Sequence, residues 1–431
     1  MQNHELRQGN MEGKFENKIE NKAAEKMEDS ANDNRKFWKG VLCGVIAVLA
    51  VLIAGTGICY GVSVVKGETM VAESKQEKKV QQKLKQIQKV IDKYYLYEDE
   101  VDEDALEDGI YSGYVAGLGD QYTVYYTAEE RKKLMESVSG KYSGIGASLM
   151  KDTETGGAVV AKVYEGTPAE EAGVKEGDII YKVDGNTISD EELDEIVSWI
   201  RGEEGTKVTL YVNRDGEQLE LTATRKSLEM PTVSYEMKDN RIGYIAVSEF
   251  DDVTLNQFKT ALDALDEQGM QGLVIDLRSN PGGNVDTVTD MLKLLLPKGT
   301  IVSVKDKNGN EETYTSDGSH EFTKPMAVLV NQYSASASEI FSGAVQDYGI
   351  GKIVGTTTYG KGVVQQIIPF SDGTAMKVTL AEYFTPNGRC INKKGVTPDV
   401  EVGYEPNEQD AAADNQLDKA LEVVQEQLKS L

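Results

Sequence analysis

Strands alternate with helices in the second half of this 431-residue chain, and that alternation limits the fold more than any other feature. From Arg241 onward, the apolar runs IGYIAV at 242–247 and GLVIDLR at 272–278 are typical of buried strands. A helical pattern from Thr254 to Gln268 separates them. This order predicts an α/β domain rather than an all-helical or all-β one.

Further elements continue the alternation to about residue 403. The loop SNPGGNVD at 279–286 opens a predicted helix at 285–296, and Asn308-Gly309 predicts a hairpin. More strands are predicted at 326–331, 350–355 and 375–384. Beyond them, residues 404–431 read as an acidic linker and a C-terminal helix from Gln416 to Leu428.

Residues 40–65 carry no charge over 26 positions, which is long enough to cross a bilayer with some tilt. Arg35, Lys36 and Lys39 precede this segment, so the positive-inside bias puts the polar, disordered tail 1–39 in the cytoplasm. We therefore expect a single-pass signal anchor in the cell membrane, in contact with lipid, with everything after residue 65 extracytoplasmic. A cleaved signal peptide and a buried core helix are the alternatives.

Residues 74–140 predict a helical N-terminal domain, with a second helix near 102–117 and a third capped by Thr127. Apolar side chains recur on one face of its first helix at Val80, Leu84, Ile87, Ile91 and Tyr94. This stripe is expected to pack against the domains that follow. A homodimer contact is the alternative.

Residues 142–226 change character to glycine-rich turns and short strands, with a helix at 190–201 and a hairpin at Asp215-Gly216. The segments YSGIGASL and GTPAEEAGVKEGDII resemble the PDZ domains of bacterial proteases. The resemblance makes Gly144, Ile145 and Gly146 a loop whose N–H groups bind a terminal carboxylate, while the peptide adds to a sheet edge. A β-rich spacer is the alternative.

Composition excludes some partners and cofactors. The net charge of −26 argues against nucleic acid, because phosphate binding needs basic patches. Three cysteines, two of them in the apolar run 40–65, give neither a disulfide framework nor a metal motif.

The serines of SASAS, at 334–338, lie between the strand that ends at Asn331 and a predicted helix to Tyr348. The N–H groups at a helix start are free and favour the negative charge that forms when a serine attacks a carbonyl. Ser336 is therefore a candidate nucleophile. A helix cap is the alternative, and the pattern alone favours it.

A serine nucleophile needs a base, and the chain has only two histidines. His4 precedes the predicted membrane span and His320 lies in a polar loop. Lys361 is the other candidate, because glycines flank it and an apolar strand, VVQQIIPF, follows it. Gln365 lies four residues further on, so in an extended segment its amide points the same way as Lys361.

From about residue 75 onward the chain resembles the carboxyl-terminal processing peptidases, serine proteases of family S41. The shared motifs, in the family's order, are GLGDQYTVYY, LRSNPGG, NQYSASASEI, TTYGKGVVQQ and GVTPDV. One departure is Gln121, where the family usually has proline. The resemblance implies a peptidase core at 227–403 with a fold like that of ClpP and crotonase, so the whole chain is expected to be a multidomain α+β protein.

The resemblance also assigns site residues. It implies that Ser336 is the nucleophile, that Lys361 is its base and that Gln365 assists the lysine. Backbone N–H groups of Gly282 and Ala337 match the oxyanion donors, and Glu339 matches a polar residue near the site. No metal and no cofactor are implied.

These features together predict a membrane-anchored serine endopeptidase that captures and cleaves proteins at their unfolded C-terminal tails. Two alternatives are an extracytoplasmic PDZ scaffold with an inactive core and a crotonase-like acyl-CoA enzyme. The joint presence of Ser336, Lys361 and Gln365 disfavours the first. The PDZ segment and the outside location disfavour the second.

Overall fold

The computed structural model describes residues 75–152, 156–189, 191–407, 410 and 413–430. The predicted tail 1–39 and membrane span 40–65 lie outside these residues. Within them, none of the helices combines the length and the apolar character needed to cross a bilayer.

The elements of the described part are numbered here in chain order. Its α-helices are α1 (Lys75–Tyr94), α2 (Glu103–Ala116), α3 (Ala128–Ser139), α4 (Pro168–Glu171), α5 (Leu193–Ile200), α6 (Thr254–Glu267), α7 (Val285–Lys293), α8 (Ala337–Tyr348) and α9 (Asn415–Lys429). Its strands are β1 (Val124–Tyr126), β2 (Lys141–Gly144), β3 (Ala147–Lys151), β4 (Ala158–Val163), β5 (Ile179–Val183), β6 (Asn186–Thr187), β7 (Lys207–Arg214), β8 (Glu217–Thr224), β9 (Lys226–Glu229), β10 (Val233–Lys238), β11 (Ile242–Val247), β12 (Gly272–Asp276), β13 (Gly299–Asp306), β14 (Glu311–Ser316), β15 (Met326–Val330), β16 (Lys352–Gly355), β17 (Val363–Pro369), β18 (Ala375–Phe384) and β19 (Val400–Glu401).

The predicted peptidase core is built on a six-stranded sheet with the order β10-β11-β12-β15-β16-β19. All neighbouring strands pair in parallel except β10, which runs antiparallel to β11. The buried side chains of α6, α7 and α8 cover one face, and those of α9 cover the other. The predicted α/β alternation is confirmed, and its strands are buried because both faces carry helices.

Parallel pairing puts the carboxyl ends of β12, β15 and β16 at one edge of this sheet. The loops that leave this edge are 277–284, 331–336 and 356–362. Open α/β sheets commonly bind ligands at such an edge. The fold therefore brings the LRSNPGG loop, the serine cluster and the lysine loop together.

A second sheet, with the order β1-β18-β13-β14, stands beside the first, and β17 also pairs with β18. The sequence predicts a buried strand after Lys361, but β17 is half-buried. The prediction is wrong because, among the described residues, β17 pairs only with β18 and lies at the edge of its sheet.

The PDZ domain forms a separate sheet with the order β3-β4-β5-β7-β8, onto which α5 packs. Its hairpin turns at Asp215 and Gly216, as predicted, and both residues have positive φ. The two-stranded ribbon of β2 and β9 connects this domain at both ends to the rest of the chain.

Helix α1 contradicts one expectation about packing. None of its residues is buried, and Val80 and Ile87 are 40% and 48% exposed. The apolar stripe therefore does not pack against the following domains of the same chain. By contrast, α3 begins as predicted, with a capping box in which Thr127 and Glu130 satisfy each other's backbone N–H groups.

Candidate active site

Ser336 immediately precedes α8 and has a strained backbone, with φ 55° and ψ −112°. The backbone of a residue other than glycine adopts such a conformation only where the surrounding structure holds it there. The Ser336 N–H donates to the Glu339 carboxylate at 2.9 Å, and its carbonyl accepts from the buried Tyr383 hydroxyl at 3.0 Å. Hydrogen bonds to both the N–H and the carbonyl of Ser336 therefore hold its backbone in the strained conformation.

Ser336 differs from the other two serines of its cluster. Ser334 and Ser338 are fully buried, and their hydroxyls donate to the carbonyls of Leu277 at 2.7 Å and Asn280 at 3.0 Å. These two serines attach the turn to the LRSNPGG loop. Ser336 is the one of the three that remains partly exposed, so its hydroxyl is the one that a substrate can reach.

The two predicted oxyanion donors differ in availability. The Ala337 N–H has no hydrogen-bond partner in the part of the chain that the structure describes, whereas the Gly282 N–H donates to the Asn280 side chain at 2.8 Å. The neighbouring Gly283 N–H also lacks a partner among the described residues. In this conformation the free pair is Ala337 and Gly283, and Gly282 becomes a donor only if Asn280 releases it.

Gly282 nonetheless has to be glycine. A Cβ at this position would lie 2.8 Å from the Ala335 carbonyl oxygen and 2.8 Å from the Ser336 Cβ, at a φ of +110°. Any larger residue would displace the serine turn.

Glu339 is the organising group of the site. It is fully buried, and each carboxylate oxygen accepts two hydrogen bonds: one from Thr358 Oγ1 (2.5 Å) and Gly360 N (2.7 Å), the other from Ser336 N (2.9 Å) and Lys361 N (2.8 Å). Burial raises the pKa of Glu339, and the four donors partly offset that effect. One side chain thus fixes the backbones of both Ser336 and Lys361.

Lys361 is half-buried at the start of the segment that leads into β17. Burial lowers the pKa of its amine, and the positive charge of Lys377 lowers it further. Glu339 and Asp120 act in the opposite direction. The net shift favours the neutral amine, which is the form that accepts a proton.

The Gln365 amide does not reach Lys361 in this structure. Its nitrogen lies 3.3 Å from the Val363 carbonyl oxygen and 3.5 Å from the Thr379 hydroxyl. The assisting role stays a prediction that would require a different rotamer of this side chain.

Sequence reasoning did not assign roles to Thr358 or Asn280, although both lie in or beside the quoted motifs. The Thr358 hydroxyl donates to Glu339 and accepts from the Val396 N–H at 2.6 Å. Asn280 is fully buried. Its side-chain oxygen accepts from the Gly282 N–H, and its backbone carbonyl accepts from the Ala335 N–H at 3.0 Å. No spacing rule identifies these residues, because their partners are backbone groups of distant loops.

The PDZ domain has a groove of about 310 Å³ between β3 and α5. Gly144, Ile145 and Gly146 close one end of it, and the N–H groups of Ile145 and Gly146 find no acceptor in the described ranges. Val197 and Ile200 give the groove an apolar wall, and Arg201 lies at the same end as the glycine loop. Two free N–H groups, an apolar wall and a cation suit the carboxylate end of a peptide.

Asp251 lies in the loop after β11, next to Phe250, whose backbone bonds to the 282–284 segment. Burial, reinforced by the charges of Glu249 and Asp252, raises the pKa of its carboxyl to about 7. The folded protein therefore holds a proton there between about pH 4 and 7 that the unfolded chain releases, so stability falls as pH rises through this window.

The variant Asp251→Asn is expected to be more stable than wild type at pH 8, by on the order of 1 kcal/mol, and nearly equal to it at pH 4. Thermal unfolding at both pH values measures this, with the exposed Asp104→Asn as the matched control. Equal stabilities of the variant and the wild type at pH 8 would show that Asp251 ionises in the folded protein without destabilising it.

Comparisons with known proteins agree with the geometry. The sequence profile of peptidase family S41 matches residues 241–402, and that of a PDZ domain matches residues 159–214. The carboxy-terminal processing protease CtpA of Bacillus subtilis is 37% identical over 308 residues, which cover 71% of this chain and 66% of the relative. The carboxy-terminal processing protease CtpB of the same organism is 32% identical over 376 residues, which cover 84% and 77%.

A solved structure, the photosystem II D1 C-terminal processing protease, is 29% identical and covers 76% of this chain and 88% of its own, with a TM-score of 0.44. The family and domain matches define the class as an α+β serine-type peptidase with a PDZ domain. The chain belongs to peptidase family S41, and its relatives are carboxy-terminal processing proteases. The family resemblance read from the sequence is confirmed.

Proposed function

We propose that the protein is an endopeptidase in which Ser336 and Lys361 form a catalytic dyad and the PDZ groove captures C-terminal tails. The observation that carries the dyad is the double attachment at Glu339. One of its carboxylate oxygens accepts hydrogen bonds from the backbone N–H groups of both Ser336 (2.9 Å) and Lys361 (2.8 Å). The distance between these two backbone nitrogens therefore cannot exceed the sum of the two hydrogen-bond lengths. The likeness of the core to ClpP and crotonase stays a prediction.

The reaction is acyl transfer. Neutral Lys361 takes the proton of the Ser336 hydroxyl while Oγ attacks the scissile carbonyl carbon. The Ala337 N–H and a glycine N–H of the 282–283 pair stabilise the oxyanion, and one such donor contributes roughly 3 kcal/mol in other proteases. The Lys361 ammonium then protonates the leaving amine. Water attacks the acyl-enzyme, with Lys361 again as the base, and releases the acid and Ser336.

Tail capture rests on the N–H groups of Ile145 and Gly146, which have no acceptor among the described residues, and on Arg201, which lines the same groove. These groups would bind a terminal carboxylate, and Val197 and Ile200 would contact an apolar last residue. A neutral end would lose the charge-assisted hydrogen bonds, which are about twice as strong as neutral ones.

A tail peptide with a free carboxylate is therefore expected to bind at least about tenfold more tightly than the same peptide with an amidated end. Titration calorimetry on the full-length Ser336→Ala protein measures this without turnover. A matched peptide that ends in aspartate instead of an apolar residue is the control. Equal affinity for acid and amide would reject capture at the chain end.

Two further proposals concern assembly. Residues 40–65 are proposed to anchor the protein in the cell membrane with the peptidase outside. Protease shaving of intact cells tests this, and a catalytic domain that is protected from added protease would reject it.

The exposed apolar stripe of α1 is proposed as a homodimer contact. Sedimentation that gives only a monomer at protein concentrations up to about 100 μM would reject this contact.

A further inference from the structure

The turn at Asp120–Thr123 brings the N-terminal helical region to the proposed dyad. It follows α2 and leads into β1, which pairs with β18 of the core through Val124 and Lys377. The Asp120 carboxylate accepts from the Thr123 hydroxyl at 2.6 Å and from the Tyr122 N–H at 3.1 Å. The Thr123 hydroxyl in turn accepts from the Thr379 N–H at 3.1 Å. The turn is thus fixed to β18.

Tyr122 projects from this turn onto the proposed base. The Lys361 Nζ lies 4.9 Å from the centre of the Tyr122 ring, within the range of a cation–π contact. Burial raises the pKa of the Tyr122 phenol, as does its hydrogen bond to Tyr359, so the ring faces Lys361 as a neutral phenol. A ring face attracts an ammonium and is indifferent to a neutral amine.

The charged groups around Lys361 come from three elements. Asp120 in the turn and Glu339 on α8 favour its protonated form, and Lys377 on β18 opposes it. The Tyr122 phenol, which bonds to Tyr359 in the same loop as Lys361, is neutral. Burial opposes the ionisation of Asp120, but its hydrogen bonds, with that of Thr123 foremost, hold the pKa of the carboxyl below its ordinary value.

We propose that the Asp120–Thr123 turn is an ammonium clasp, in which the Tyr122 ring and the Asp120 carboxylate hold Lys361 once it has taken the Ser336 proton. The inference rests on the dyad proposed above. When the proton moves from Ser336 Oγ to Lys361 Nζ, the charge appears over the ring and near the carboxylate. Both residues then stabilise the transition state more than the resting site. They are positioning residues, since neither exchanges a proton or a bond.

The clasp also gives the N-terminal region a part in catalysis. The base receives its ammonium site from the connection between α2 and β1, which precedes the PDZ domain in the chain. Any displacement of β1 from β18 would remove the ring and the carboxylate together.

The test compares Tyr122→Phe, Tyr122→Leu and Asp120→Asn with wild type in kcat, KM and the pH profile of kcat/KM. Tyr122→Leu is expected to lower kcat about tenfold with KM within about twofold of wild type. Tyr122→Phe, which keeps the ring, is expected to stay within about twofold of wild type.

Asp120→Asn removes a charge that raises the pKa of Lys361, so the acid limb of the kcat/KM profile should move to lower pH. Lys377→Met should move it to higher pH. Tyr114→Leu and Asp104→Asn, both on the exposed surface of α2, are the matched controls.

A readout without turnover separates this inference from the dyad. In the Ser336→Ala background, the pH dependence of Lys361 modification by an amine-reactive reagent, followed by peptide mass spectrometry, gives the pKa of Lys361 directly. A lower pKa in Asp120→Asn and in Tyr122→Leu, in proteins with unchanged unfolding temperature, supports the clasp. An unchanged Lys361 pKa in both, or equal losses of kcat in Tyr122→Phe and Tyr122→Leu, overturns it. Full activity in Lys361→Ala would instead overturn the dyad.

Discussion

Replacement of Ser336 by alanine, or of Lys361 by methionine, is expected to lower kcat for an unfolded protein substrate by at least about a thousandfold. The first variant removes the nucleophile, and the second leaves the serine without a base. The double variant should be little worse than either single one, because the two residues act as one unit. Steady-state cleavage of a labelled unfolded substrate measures all three.

The pH dependence of the wild-type enzyme belongs to the same prediction. Burial and Lys377 lower the pKa of Lys361 from its ordinary 10.5, and the base works only as the neutral amine. A lower pKa therefore makes kcat/KM rise at a lower pH than an unperturbed lysine would allow. Activity that appears only above about pH 9 would mean that the lysine is unperturbed.

Matched controls exclude a general loss of structure. Ser342→Ala removes a buried hydroxyl of α8 that donates to the Ser338 carbonyl, and Lys352→Met changes the exposed first residue of strand β16. Both should retain most of the activity. Comparable losses in Ser342→Ala and Ser336→Ala would show that the helix, rather than one hydroxyl, was affected.

Glu339→Gln is expected to lower both activity and stability, which is the second large effect. The carboxylate accepts four hydrogen bonds, and an amide nitrogen in place of one oxygen would face two donors without accepting from either. Each buried donor left without a partner costs about 1–3 kcal/mol. We therefore expect roughly 2 kcal/mol or more of lost stability.

The same change should lower kcat more than tenfold in protein that is still folded, because the Ser336 and Lys361 backbones lose their common acceptor. The exposed Glu312→Gln on β14 is the control with the same change of charge and shape. A Glu339→Gln enzyme with wild-type kcat and stability would mean that Glu339 is already protonated and does not organise the site.

The sequence predicts the elements of this protein better than its contacts. Helix α6, strand β15 and strand β18 lie where the apolar periodicity puts them, because their patterns reflect burial on a sheet. Helix α1 has an equally clear apolar stripe, yet the stripe is exposed in the single chain. Periodicity tells that a face is apolar and does not tell what covers it.

The candidate site shows the same limit. The family resemblance singles out Ser336, a prediction with which its partial exposure agrees, since Ser334 and Ser338 are buried in hydrogen bonds with the LRSNPGG loop. The fourfold role of Glu339 and the occupation of the Gly282 N–H by Asn280 arise from loops that are distant in sequence. Such contacts follow from the sheet topology, so they could not be read from spacing alone.

The most direct test of the central claim is intact-mass spectrometry of the products from one defined unfolded protein, incubated with wild type or with Ser336→Ala. The account predicts C-terminally shortened fragments with wild type, none with Ser336→Ala, and fewer when the substrate's last carboxylate is amidated. The same fragments at a similar rate from Ser336→Ala would contradict it.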